Sequence, residues 1–265
     1  MKKTKKTILV PTDFLQVSRY ALQHAVNVAQ VVNEGITLLH VVKLQSEVGE
    51  AKAKLAMLAQ ETNEKYGLKP DSVVALGDIA TEIARVSAAF DVSMVIMGSE
   101  SIKGKDALTE TRTLKVITSS QVPFVTIQEP PINKRYDEIV FPIDFTVENK
   151  EKHGWISYFS DYYVSRFHLI KPNISDPELI AKVDLNMASA IKHLDDKGAK
   201  YEIYTVAGEK PYAQEVLEMA VNIRADLIVI MTTKIAKSSK FVLEPHEQYI
   251  IGFAGHIPVM SINPR

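Results

Sequence analysis

Val10-Pro11-Thr12-Asp13-Phe14 and Phe141-Pro142-Ile143-Asp144-Phe145 are the stretches that decide the fold. They lie 131 residues apart, and each closes a short apolar run. Outward from them the same landmarks recur in the same order. Gly67 is matched by Gly198 and Gly77-Asp78 by Gly208-Glu209, both at an offset of 131. Val95-Ile96-Met97 is matched by Val229-Ile230-Met231 at 134, and Val122-Pro123 by Ile257-Pro258 at 135. Such self-similarity reads as a tandem duplication. The junction falls at 129–133, where Pro130 and Pro131 interrupt regular structure, so the domains are placed at 1–130 and 135–265.

Within each half, short apolar runs alternate with helical periodicity. In the first half the strands are expected at 7–10, 36–42, 72–75, 92–97 and 123–127. Ala21, Leu22, Ala25, Val26, Ala29 and Val32 fall at helical spacing, with Ser18 as the expected cap and Gly35 as the stop. Further helices are expected at 46–66, from 79 to about 90, and at 107–118. In the second half, strands are expected at 138–141, 165–170, 200–206, 227–231 and 258–262, with helices near 147–162, 177–196, 211–223 and 243–253. Runs apolar on both faces, separated by helices, imply parallel strands with right-handed crossovers. Each half is therefore expected to be a five-stranded, doubly wound, Rossmann-like α/β domain.

Composition narrows the function. The 265 residues are 46% hydrophobic and 24% charged, as in an ordinary globular protein. Cysteine is absent, which removes thiolate metal sites, disulfides and cysteine nucleophiles. Residues 1–132 carry 15 Lys+Arg against 14 Asp+Glu, and the remainder 16 against 18, so neither half has the basic excess of a general nucleic-acid binder. The basic cluster Lys2, Lys3, Lys5 and Lys6 precedes only Ile8-Leu9-Val10, short of the roughly 7–15 apolar residues of a signal peptide. A cytoplasmic location, without nucleic-acid or membrane partners, is expected. Nucleophile elbow, Walker loop and dinucleotide glycine fingerprint are all missing. The seven histidines include no His/Glu pair of the zinc-hydrolase type, and no metal ligand is assigned.

The opening Ile8-Leu9-Val10-Pro11-Thr12-Asp13-Phe14 resembles the universal stress protein family. So do Ser18-Arg19-Tyr20-Ala21-Leu22, Leu38-Leu39-His40-Val41, Gly77-Asp78-Ile79 and the run ending in Gly98. The resemblance covers nearly the whole chain as two copies, the second more divergent. It implies strand order 3-2-1-4-5, with a crevice at the switch point between strands 1 and 4. It also implies pairing through the fifth strands, 122–127 with 257–262, which would unite the halves pseudo-symmetrically inside one chain. A homo-oligomer or a separate protein partner stays open.

Many members of that family hold ATP in this crevice through a spaced glycine motif that ends in Gly-Ser or Gly-Thr. The residues implied here are Pro11, Thr12, Asp13, Val41, Gly98, Ser101 and Thr111, with ATP or AMP as the ligand of the first half and no other cofactor assigned. The motif is degraded. Ser101 takes the second glycine position, Glu110 the third once one residue of the spacing is deleted, and Gly104 and Lys105 lie between. In the second half Thr232, Ile235, Glu244 and Pro245 stand at the corresponding places. A glutamate about 4 Å from a phosphate is repelled by about 4 kcal/mol at an effective dielectric near 20, and Pro245 has no N–H to donate. The expected function is a non-catalytic stress-adaptation, signalling or scaffold module with degenerate nucleotide sites. An ATP- or AMP-binding switch in the first half is the alternative, and a slow nucleotide hydrolase the second.

Other features have plainer readings beside sharper ones. Asp13 is a nucleoside contact or a turn residue, and Asp144 repeats it. Asp78 is read as a helix cap. Met94, Met97, Met231 and Met260 are read as core. Trp155, Phe159 and Tyr162 share a helical face that either packs on the sheet or lines an apolar pocket or partner surface.

Overall fold

The computed structural model describes residues 6–99, 112–234 and 241–264. In the first half, β1 (Thr7–Pro11), β2 (Gly35–Val42), β3 (Asp71–Leu76), β4 (Val92–Gly98) and β5 (Phe124–Ile127) alternate with α1 (Gln16–Val32), α2 (Val48–Tyr66), α3 (Ile79–Ala89) and α4 (Arg112–Thr118). The second half repeats the plan. Its strands are β6 (Glu138–Pro142), β7 (Arg166–Lys171), β8 (Lys200–Thr205) and β9 (Leu227–Met231), then a short hairpin of β10 (Thr233–Lys234) and β11 (Phe241–Val242), then β12 (Val259–Ile262). Its helices are α5 (Lys152–Tyr162), α6 (Pro177–Lys197), α7 (Tyr212–Ile223) and α8 (Pro245–Phe253).

The ten long strands form one sheet in the order β3-β2-β1-β4-β5-β12-β9-β6-β7-β8. Each half therefore has the order 3-2-1-4-5. Every pairing of this sheet within a half is parallel. The join between β5 and β12 is antiparallel, with Val125 opposite Met260 and Thr126 opposite Val259. The Thr126 hydroxyl adds a bond to the Val259 carbonyl at 3.2 Å. Phe124, Val125, Ile127, Val259, Met260 and Ile262 are all buried, so this seam continues the core.

Strand alternation sends successive side chains to opposite faces, and two cores follow. Ile8, Val10 and Leu38 pack under α1, α2, α5 and α6 through Ala25, Leu55, Phe159 and Leu194. Leu9, Leu39 and Val95 pack under α3, α4, α7 and α8 through Val86, Ile117, Val216 and Ile251. Both faces of the sheet are thus covered, which is why its strands read as continuous apolar runs.

Local chemistry sets the element ends, sometimes differently from the expectation. Asp78 caps α3 by accepting the amides of Ala80 and Thr81 at 3.0 and 3.3 Å. Gly67 and Gly198 close α2 and α6 in the left-handed conformation. Ser18 is not the cap of α1: the helix begins at Gln16, and the Ser18 hydroxyl donates back to the Leu15 carbonyl at 2.8 Å. Nor does Gly35 end it. Asn33 takes the left-handed position at φ 55°, and Gly35 already belongs to β2. Asparagine tolerates that conformation better than most residues, which frees the glycine from the role. The segment expected as one helix at 147–162 opens instead with a 3-10 turn, Val147–Glu151, before α5.

Candidate functional site

The switch point of the first half lies where β1, β2 and β4 end. Beyond Pro11 the chain is gripped by β2: the Thr12 amide donates to the Leu39 carbonyl at 2.8 Å, and His40 Nδ1 donates to the Thr12 carbonyl at 2.7 Å. The Thr12 hydroxyl accepts the Phe14 amide at 3.0 Å and meets the Ser18 hydroxyl at 3.0 Å. Asp13 Oδ1 accepts the Leu15 amide at 3.0 Å, and its side chain stands exposed at the mouth. Phe14 adopts φ 65° and lays its ring 4.5 Å from the His40 ring. Val41 and Gly98 are half-buried at the ends of β2 and β4. A Cβ on Gly98 would lie 2.7 Å from the carbonyl carbon and oxygen of Val17 and 2.9 Å from the Ser18 nitrogen. The glycine is therefore required by the approach of α1 to the strand, whatever else the crevice holds.

Of the residues singled out in the sequence, Pro11, Thr12, Asp13, Val41 and Gly98 are brought to this one end of the sheet. Ser101, Gly104, Lys105, Glu110, Thr111 and Ile235 lie outside the described residues.

The ladders correct the alignment of the halves by one residue. Leu9 pairs with Val95, and its counterpart Val140 pairs with Ile228. Gly98 pairs with Ile127, and Met231 with Ile262. Met231, not Thr232, therefore stands where the first half has Gly98. Thr232 matches Ser99, each donating its amide to the last residue of the neighbouring strand. With a side chain at 231, the segment after β6 cannot back onto β9 as closely as Val17 and Ser18 back onto β4. That segment is the 3-10 turn.

At the switch point of the second half, polar side chains of the chain itself gather around the end of β6. Asp144 repeats the turn of Asp13, its Oδ1 accepting the Thr146 amide at 2.7 Å, the Thr146 hydroxyl and Asn149 Nδ2. Asn186 of α6 ties the turn down through the carbonyls of Asp144 and Thr146, both at 2.8 Å. Lys152 occupies the position of Ala21 in the first half. It is buried, and its ammonium donates to the Pro142 carbonyl and to Asn149 Oδ1. From the other side α8 contributes Glu247, also buried, which accepts the amide of Glu244. Glu244 itself precedes α8 and is exposed. Burial draws Lys152 down to about 8, against the opposing pull of Asp144 and Glu247. Burial likewise pushes Glu247 up to about 8, with Asp144 and Glu244 adding repulsion while the Glu244 amide and Lys152 oppose it. Sequence reasoning missed both residues. The available signal was Lys152 in register with a core alanine.

The aromatic face expected on α5 divides. Phe159 is buried, Trp155 is half-buried 6.2 Å from it, and Tyr162 is exposed.

Two doubly wound units sharing one sheet, each with an aspartate turn at its switch point, define an α/β protein with the architecture used for ligand binding beyond strand ends. Residues 5–128 match the model of the Universal stress protein family. Among solved structures, the chain is similar to a universal stress protein from Archaeoglobus fulgidus DSM 4304, with a TM-score of 0.75 and 18% identity, covering 98% of this chain and 99% of that one. It is similar too to a functionally unknown protein from Pseudomonas aeruginosa PAO1, with a TM-score of 0.70 and 17% identity over 98% and 93% of the two chains. At those identities the likeness shows the fold. No curated protein matches the chain. No helix among the described residues is long and apolar enough to cross a membrane.

Proposed function

We propose that the chain is a tandem universal stress protein acting as a non-catalytic stress-adaptation module, a signalling or scaffold element, whose second crevice is closed to nucleotides by its own side chains. The observation that carries this reading is Lys152, buried at the end of β6 and bonded to the Pro142 carbonyl. A nucleotide entering there would have to displace an ammonium already satisfied by two oxygens and pass the buried Glu247. An uncompensated buried charge costs several kcal/mol, so opening the cluster is disfavoured.

The first half supports a second reading, an ATP- or AMP-binding switch. Asp13 is exposed there, beside Val41 and Gly98 and without a counterpart of Lys152, because Ala21 fills that position. Calorimetric titration of the full chain with ATP and magnesium separates these readings. At most one site is expected, weakened or lost in Asp13→Ala, with no nucleotide turnover. Two equivalent sites would overturn the closed second crevice. Turnover that disappears in Asp13→Ala would overturn the non-catalytic reading.

A further inference from the structure

We propose that the cleft where the two halves meet binds a small organic anion, a carboxylate or phosphate monoester carried on a flat apolar body. The cleft is separate from both switch-point crevices. It has a volume of about 330 Å³, within the range of small-molecule sites. Its walls are the middle of α1, the connecting segment 131–136, the turn after α7 and the residues that lead into β12.

Its charge is unbalanced. Lys134, Arg135, Arg224 and His256 line it from three separate segments, and neither Lys134 nor Arg224 forms an ion pair with a described residue. The carboxylate in the lining, Asp226, is already committed: it accepts Asn133 Nδ2 and the amides of Asp137 and Glu138, the latter two at 2.9 Å. Arg135 is held 5.3 Å from the Tyr163 ring centroid and 3.5 Å from Asp137, so its guanidinium lies over an aromatic face beside the opening. An anion with a flat body fits that arrangement, because a guanidinium can stack and donate paired hydrogen bonds together.

The inner wall holds unused polar groups. His24 is buried and joined through Nε2 to the Tyr136 hydroxyl at 2.6 Å, while its Nδ1 has no partner. Burial draws His24 down to about 4, so the ring is neutral. The Tyr163 hydroxyl is likewise buried without a partner. Val28, Pro131 and Pro258 supply the apolar surface for the body of the ligand.

The test uses ¹⁵N-labelled full chain titrated separately with phenyl phosphate and with benzoate. Saturable amide shifts are expected within 131–136, 224–226 and at His256, at about millimolar concentration or below. A response to either probe supports the site and identifies its preferred anion. Lys134→Glu with Arg224→Glu, both on exposed side chains, should weaken binding by about tenfold or more, whereas Asp13→Ala should leave it unchanged. No saturable shift with either probe, indifference to charge reversal, or loss of the signal in Asp13→Ala would overturn the proposal. The last outcome would place the ligand in the first crevice, and none of them bears on whether Lys152 closes the second.

Discussion

Gly98 and Lys152 mark where the two switch points differ at the level of single residues. Gly98→Ala would drive a Cβ into the backbone of Val17 and Ser18, a clash that no rotamer relieves. A loss of about 1–3 kcal/mol is expected, read as a lower urea midpoint, even with no ligand present. Lys152 and Glu247 should write a pH signature. Glu247 is raised from 4.5 to about 8, so the folded state holds its proton longer and stability from this group falls as pH rises between those values. Lys152 is lowered from 10.5 to about 8, so the unfolded state holds the extra proton and stability rises again from about 8 towards 10.5. The cluster's contribution is thus lowest near pH 8. Urea midpoints across pH 5–10 should dip there, and Lys152→Met with Glu247→Gln should flatten the dip. An unchanged profile would show that the two groups do not titrate as described. Neither residue was legible beforehand, because a lysine or glutamate is ordinarily read as a solvated face, and its burial depends on what packs over it.

At the level of elements, the sequence was most readable where strands are buried on both faces. The runs at 7–10, 36–42 and 92–97 became β1, β2 and β4 within a residue or two at each end. Register was less readable. Leu227–Met231 is apolar at every position, so nothing in it distinguished Met231 from Thr232 as the counterpart of Gly98; only the ladders did. Ends of helices failed where a backbone solution replaced a side-chain cap, as at Leu15 and Asn33. The start of the second half is held by one acid. Asp226 holds the amides of Asp137 and Glu138 at 2.9 Å and so fixes the entry to β6. Asp226→Ala should leave both amides without this acceptor and cost about 1–3 kcal/mol. Faster amide exchange at Asp137 and Glu138 would be the local sign, and unaltered exchange there would refute the assignment.

On the scale of the whole molecule, the β5–β12 seam makes one cooperative body from two repeats. The lone tryptophan, Trp155, reports on the second half, while far-UV circular dichroism reports on both. The two probes should follow a single, coincident urea transition, since unfolding either half would expose the buried edge of the other. Transitions that separate would show the seam to be too weak to couple them.

The same seam fixes a direction as well as a contact. Because β12 runs against β5, the strand tips of one repeat point away from those of the other. The Asp13 turn beyond β1 and the Lys152 cluster beyond β6 therefore look out from opposite rims of the protein. No single compact visitor can touch both.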